Sequence, residues 1–124
     1  MCLRTVTAFV LGLALFPALT VGSAQARGPF DGSWSVLVVT ESGDCDRAYR
    51  YAVRIKNGVL SHGDGGPIAL TGRVNAGGRV RVTIGSGDRS ANGTGRLSRN
   101  FGSGIWKASS TRQRCGGRWE AERR

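Results

Sequence analysis

The chain is poor in the residues that build most catalytic and metal sites. Of its 124 residues one is histidine, one is methionine and three are cysteine. The single histidine, His62, has Asp64 two residues away, but no serine stands in a nucleophile-elbow motif that would complete a hydrolase triad. No CxxC or Cys/His cluster offers a metal-ligand set. We therefore expect no enzyme, no metal site and no cofactor, and we interpret His62 as a solvated turn residue.

Long apolar runs are also missing, apart from one at the N-terminus. Val6–Leu19 is apolar except for small residues, Thr7 and Pro17, and it precedes Ala24-Gln25-Ala26, a small-x-small pattern typical of signal-peptide cleavage. We expect residues 1–26 to be a signal peptide and residues 27–124 to form one domain, periplasmic or extracellular. No later run reaches the roughly 20 apolar residues that a transmembrane helix needs. The mature chain is therefore expected to lack a membrane-spanning segment.

Two cysteines remain in the mature domain, Cys45 and Cys115. In an oxidising compartment, and without metal-ligand spacing around either residue, such a pair indicates a disulfide. The bridge would close a loop of about 70 residues, which the chain-entropy model values at roughly 4 kcal/mol.

What the mature chain does contain is strand-type alternation, sharpest at Tyr49–Lys56. There Tyr49, Val53 and Ile55 point one way and Arg50 and Arg54 the other. The same period predicts eight short strands, at Ser33–Thr40, Tyr49–Lys56, Val59–His62, Ile68–Asn75, Arg79–Ile84, Ser90–Ser98, Gly104–Ala108 and Cys115–Ala121. We find no helix pattern in this part of the chain.

The turns between these runs favour hairpins between neighbouring strands. Asn57-Gly58 and Gly77-Gly78 each read as a two-residue hairpin turn, and Asn100–Gly102 as a longer one. In a flat sheet the first and eighth strands would lie about 33 Å apart at roughly 4.7 Å per spacing, whereas a disulfide needs Cα atoms within about 7 Å. The fold class predicted is all-β: an antiparallel up-and-down meander of about eight strands that closes into a barrel, with a flattened sandwich as the alternative.

The inward positions combine large rings with glycines. The predicted barrel core comprises Trp34, Tyr49, Tyr51, Val53, Ile55, Val80, Val82, Trp106 and Trp119, and Gly93, Gly95 and Gly104 point to the same side. Small residues opposite large rings fill a narrow barrel, so we expect a solid interior. The alternative is that the glycines leave a calyx, since a barrel of about eight strands is wide enough for one small ligand.

The outward positions are strongly basic, and the whole chain has a net charge of +10. The candidate polyanion-binding residues are Arg50, Arg54, Lys56, Arg73, Arg79 and Arg81, with Arg96, Lys107 and Arg118 on the same outer side. Such a face attracts an acidic envelope polymer through a salt-sensitive field; the alternative is that it serves only solubility and protection of strand edges. Nucleic acid is not expected, because the chain carries an export signal and its aromatic residues face the barrel interior.

Two resemblances accompany this pattern. Gly32-Ser33-Trp34 resembles the Gly-x-Trp opening of calycin-type barrels, which include lipocalins, avidins and small bacterial metalloprotease inhibitors. Nearly the whole domain resembles short exported proteins of soil-dwelling proteobacteria that combine FDGxW, CDRxYxYxVxIxxG and CxGxWxAxR segments, here at 30–34, 45–58 and 115–123. These resemblances imply a barrel and supply no site.

Together these features predict a monomeric, non-catalytic exported barrel that acts as a binding or envelope-associated module. Its expected partner is an acidic envelope polymer or an exported protein. One alternative is a calyx-type carrier of a small apolar ligand. The other, which follows from the Gly-x-Trp resemblance, is a protein-binding barrel similar to protease inhibitors.

Overall fold

The computed structural model describes residues 12–14, 28–63 and 69–124. The predicted signal peptide lies outside the described residues except for 12–14. Eight strands follow one another along the chain: β1 Gly32–Ser42, β2 Ala48–Lys56, β3 Val59–His62, β4 Ala69–Val74, β5 Arg79–Ser86, β6 Arg89–Leu97, β7 Phe101–Ser109 and β8 Arg114–Arg123. Each strand pairs antiparallel with the next, and β8 pairs with β1. The prediction of a closed all-β meander is confirmed, and the sheet is not a flattened sandwich.

The alternation in the sequence accounts for the two faces of the barrel. On β2, Val53 and Ile55 are buried, whereas Arg54 and Lys56 are exposed. The register sets Val53 opposite Trp34 of β1, so both side chains face inward. Because the period is two, a slip of one residue would turn every apolar side chain of β2 towards solvent.

The turns agree with the sequence at one site and differ at another. Asn57 and Gly58 have φ values of 51° and 75°, the left-handed conformation that a two-residue hairpin turn requires. The prediction of a two-residue turn at Gly77-Gly78 is wrong. Gly78 N–H donates to the Asn75 carbonyl at 3.0 Å and only Gly78 has positive φ, so the loop is a turn followed by a bulge.

The strand limits also differ in places. β7 begins at Phe101 rather than Gly104, so the predicted turn at Asn100–Gly102 is shorter than expected. The sequence shows little apolar alternation there because Gly102 and Gly104 occupy the inward positions. The strand is extended by its backbone pairing with β6 and β8. β4 is described from Ala69, and the predicted strand start at Ile68 lies outside the described residues.

The Cys45–Cys115 disulfide predicted from the sequence is present, with a Cα–Cα distance of 6.1 Å. It joins the β1–β2 loop to β8 at one end of the barrel, which also carries the β5–β6 and β7–β8 loops and is called the open end below. The opposite end carries residues 28–31 and the β2–β3, β4–β5 and β6–β7 loops, and is called the closed end.

Candidate functional site

The interior of the barrel contains a cavity of about 500 Å³. Its wall consists mainly of inward-facing aliphatic and aromatic side chains, and its polar residues lie towards the open end. The expectation of a solid interior is therefore wrong, and the alternative of a calyx describes the barrel. The apolar wall includes Trp34, Val36, Val38, Tyr51, Val53, Leu70, Val80, Val82, Ile84, Trp106 and Trp119.

A row of glycines explains how three tryptophans and an open cavity fit in one small barrel. Trp119 of β8 stands opposite Gly104 of β7, which stands opposite Gly95 of β6. A Cβ atom at Gly104 would lie 2.5 Å from Trp119 Nε1, and one at Gly95 would overlap the same indole ring. The ring therefore lies flat on the glycines, which keeps it against the wall and out of the centre.

Backbone carbonyls satisfy the indole N–H groups of this wall. Trp119 Nε1–H donates to the Thr94 carbonyl at 3.1 Å, and Trp106 Nε1–H donates to the Val39 carbonyl at 3.0 Å. In the described part of the chain no buried side-chain nitrogen or oxygen lacks a hydrogen-bond partner. The tryptophans thus present hydrocarbon surface to the cavity while their polar atoms are bound in the wall.

The closed end is sealed by a buried tryptophan under an arginine. Trp34 is only 2% exposed, and the Arg123 guanidinium carbon lies 4.8 Å from the centre of its ring. Arg123 Nε, Nη1 and Nη2 donate to the carbonyls of Arg99, Asp31 and Pro29 at 2.8, 2.6 and 2.7 Å. One side chain therefore ties the N-terminal turn and the β6–β7 loop across the closed end.

Asp31 fixes a second loop at the closed end. Its carboxylate accepts hydrogen bonds from the backbone N–H groups of Asn57 at 2.7 Å and Gly58 at 3.2 Å. Phe30, which precedes it, is buried in the same core cluster as Trp34 and accepts the Trp34 indole N–H at 2.8 Å through its carbonyl. The floor of the cavity is consequently packed and hydrogen-bonded.

The open end is polar and carries both signs of charge. Asp44, Asp46, Arg89 and Gln113 border the cavity there, next to the disulfide. The Tyr49 hydroxyl donates to the Asp46 carboxylate. That hydrogen bond, with desolvation and the negative charge of Asp46, raises the pKa of Tyr49 above its ordinary value, against a smaller opposing effect of Arg89. Polar groups therefore stand at the entrance and apolar groups behind it.

At the open end, the burial of Tyr49 and of His62 differs from what the sequence predicts. Tyr49 lines the cavity but is 41% exposed, because it is the second residue of β2 and its ring stands at the rim of the open end rather than in the core. His62 is half-buried on β3 opposite Val53, with its ring edge-on to Tyr51 at 6.3 Å between centroids. It is therefore a strand residue on the inner side and not a solvated turn residue.

The other predicted core residues lie on the inner side. Trp34, Val53, Ile55, Val80 and Trp119 are buried, and Tyr51, Val82 and Trp106 pack against them partly exposed. Burial raises the pKa of the Tyr51 hydroxyl. All eight of these residues line the cavity.

The six candidate polyanion-binding residues are all exposed on the outer side, but they do not form one group. Arg73 of β4 stands directly opposite Arg81 of β5, and Arg79 of β5 stands opposite Arg96 of β6. Arg50 lies apart from them, opposite Leu37 of β1, with Nη1 3.3 Å from the Ser35 hydroxyl. Arg54 and Lys56 lie on β2, two strands from β4.

The described residues contain no group of three or more His, Cys, Asp and Glu side chains placed to hold a metal ion. They also include no helix of the length and apolar character that crossing a membrane requires.

Comparison with protein-family models, with curated proteins and with solved structures finds no significant match to the chain. The resemblances noted from short sequence segments thus remain expectations, and the candidate site rests on the geometry of the barrel.

Proposed function

We propose that this protein is an exported, non-catalytic carrier that binds a small, largely apolar molecule inside its barrel. The observation that supports this most directly is the cavity of about 500 Å³ with a sealed floor and a polar entrance. Pockets that enclose small organic ligands typically measure about 300–1,000 Å³ and combine apolar walls with a few placed polar groups. The cavity favours the carrier over the alternative of a protein-binding inhibitor.

The wall chemistry defines the class of ligand. The deep part of the cavity offers aliphatic side chains and the faces of Trp106, Trp119 and Tyr51, whereas Asp46, Arg89 and Gln113 stand only at the entrance. The ligand is therefore a molecule with an apolar or aromatic body and a polar end that stays near the mouth. A charged group at the inner end would lose its hydration without a partner.

Two observations support export and a monomeric state. The N-terminal pattern is that of a signal peptide, and a disulfide of the kind seen at Cys45–Cys115 persists in oxidising compartments. Because β8 pairs with β1, the first and last strands of the meander offer no free edge for a second copy to extend.

Binding of a neutral fluorescent probe, N-phenyl-1-naphthylamine, tests the carrier function. We expect the probe to gain fluorescence with the protein and to quench Trp106 and Trp119, which line the cavity. Ala108 lies on the inner side of β7 and borders the cavity, so Ala108→Trp should obstruct it and weaken binding at least tenfold.

Lys107→Trp is the matched control, because Lys107 is the preceding residue on β7 and is exposed on the outer side. It adds the same ring to the same strand and should bind the probe like the original protein. The carrier function is contradicted if the folded protein leaves the probe unbound, or if the two tryptophan variants bind it equally well.

A further inference from the structure

The outer face of the barrel separates its charges. Strands β2 to β6 contain no aspartate or glutamate, whereas β1 and β8 contain Glu41, Glu120 and Glu122. Arg118 of β8 lies 3.8 Å from the carboxylates of both Glu41 and Glu120. The basic side chains of β4 to β6 have no carboxylate on their own strands with which to pair.

Five basic side chains on β2, β4, β5 and β6 lie in one strip, called the basic band below, in which Val59 of β3 separates Lys56 from the four arginines. Lys56 of β2 and Arg73 of β4 flank Val59 of β3 in one cross-strand row, and Arg73 faces Arg81 of β5 in the same row. Arg79 is the neighbouring outward-facing residue on β5, two positions before Arg81, and it stands opposite Arg96 of β6. The band consists of Lys56, Arg73, Arg79, Arg81 and Arg96, all exposed.

The opposed arginine pairs are unfavourable for the isolated barrel. Directly opposite residues have Cβ atoms about 4.5–5.5 Å apart, and like charges at that distance destabilise a sheet. Among the described residues, no carboxylate forms an ion pair with any of the four arginines of the band. Solubility alone requires scattered charge rather than arginine placed opposite arginine.

The shape of the band indicates an extended anion. It crosses five adjacent strands, or four spacings, which is roughly 19 Å along the sheet at about 4.7–4.9 Å per strand. A single small oxyanion would contact one arginine pair only, whereas a polymer with repeated oxyanions contacts them in turn. Guanidinium groups bind carboxylate and sulfate oxygens through two parallel hydrogen bonds.

We infer that the basic band binds a linear acidic polysaccharide across β2 to β6, in addition to the ligand proposed for the interior. The band carries no aromatic side chain on which nucleobases would stack, which favours a polysaccharide over a nucleic acid. Bound in this way, the barrel is held on an anionic surface polymer while its open end stays free to exchange ligand.

Binding to heparin, a linear sulfated polysaccharide, tests the inference. We expect the protein to bind at low salt with an affinity that falls steeply as salt is added, because bound counterions are released. The double variant Arg73→Gln, Arg81→Gln should weaken binding at least tenfold and reduce the slope of log K against log salt by about 2.

The matched control is Arg112→Gln, Arg114→Gln, which removes the same charge from exposed positions at the start of β8 and the loop before it. It should retain most of the affinity and most of the slope. The inference is overturned if both double variants lose affinity equally, if heparin is not retained at low salt, or if duplex DNA or anionic phospholipid vesicles bind the band more tightly than heparin.

Two further readouts keep the test independent of folding and of the carrier function. The variant Arg73→Gln, Arg81→Gln removes the repulsion between two directly opposite arginines, so its melting temperature should be unchanged or higher. Weaker heparin binding then cannot be ascribed to unfolding. Binding of N-phenyl-1-naphthylamine should be unaffected by the variant. Loss of heparin binding with intact probe binding therefore separates the two sites.

Discussion

At the scale of single residues, the cavity depends on where side chains are missing. Gly95 and Gly104 provide a flat surface for Trp119, whose indole would otherwise have to move towards the centre of the barrel. The sequence places these glycines on the inner side through their spacing, and it places the tryptophan opposite them. It does not indicate whether the ring lies flat or projects inward, because that follows from the hydrogen bond of Nε1–H to the Thr94 carbonyl.

Gly104→Ala should destabilise the barrel more than an alanine at a sheet glycine with open space around it, such as Gly85. The new Cβ would lie 2.5 Å from Trp119 Nε1 and closer still to the Thr94 carbonyl oxygen, so the strand or the ring must shift. We expect a loss of about 1–3 kcal/mol in the free energy of unfolding, measured by urea titration.

Gly85→Ala is the control, since a Cβ at Gly85 would meet no atom within 4 Å. It should be neutral or slightly stabilising, because alanine restricts the unfolded chain. Equal losses in the two variants would contradict the role assigned to the glycine row.

The Tyr49 and Asp46 pair at the rim gives a titration signal. The chain has only two tyrosines, and the pKa of each is raised, that of Tyr49 chiefly by its hydrogen bond to Asp46 and that of Tyr51 by burial. Asp46→Asn should lower the pKa of Tyr49 towards the ordinary value of about 10. Ultraviolet absorbance of tyrosinate against pH measures this shift, and Tyr51→Phe assigns the two titrations.

The raised pKa values also predict an alkaline loss of stability. A group whose pKa is higher in the folded than in the unfolded state contributes stability below its unfolded pKa and loses it as the pH rises through the folded pKa. Unfolding free energy should therefore decline above about pH 10, and less so in Tyr51→Phe. A decline of the same size in both proteins would show that Tyr51 does not contribute.

At the scale of strands and turns, alternation is the most informative signal in the chain. It predicted β2 and β5 well because both have apolar side chains on one face and charged ones on the other. It missed the start of β7, where Gly102 and Gly104 take inward positions, since a strand rich in glycine is specified by its neighbours rather than by its own side chains. The prediction for the loop at Gly77-Gly78 is wrong because the sequence does not indicate which glycine adopts positive φ, and only Gly78 does.

The β2–β3 hairpin should depend strongly on Gly58. This residue has a φ of 75°, and an added Cβ would lie 2.8 Å from the Val74 carbonyl oxygen. Gly58→Ala should cost about 1–2 kcal/mol in unfolding free energy. Gly77→Ala, where the nearest atom is 3.5 Å away and φ is not positive, should cost clearly less in the same denaturant titration.

At the scale of the whole molecule, the disulfide and the closed sheet both bring the first strand next to the last one. The sequence predicted both, because a bridge between the first loop and the last strand is incompatible with a flat eight-stranded sheet. It did not predict the cavity. Rings and glycines on the inner side are compatible with a filled or a hollow barrel, and the outcome depends on how each ring is turned.

Reduction or removal of the bridge should lower stability without opening the sheet completely. Cys45→Ser frees a loop whose ends are 70 residues apart, and the chain-entropy model gives a loss of roughly 4 kcal/mol. The melting temperature should fall on the order of 10 °C or more in a domain of this size. An unchanged melting temperature would show that strand pairing between β1 and β8 alone holds the open end.

The most direct test of the carrier function is an NMR measurement of where an apolar molecule binds. With N-phenyl-1-naphthylamine bound, we predict intermolecular NOEs to the methyl groups of Val36, Leu70 and Val82, which line the cavity. The methyl groups of Val59 and Ile105, which are 45% and 60% exposed on the outer side, should give none. NOEs confined to the outer methyl groups, with none to the cavity wall, would contradict a ligand site inside the barrel.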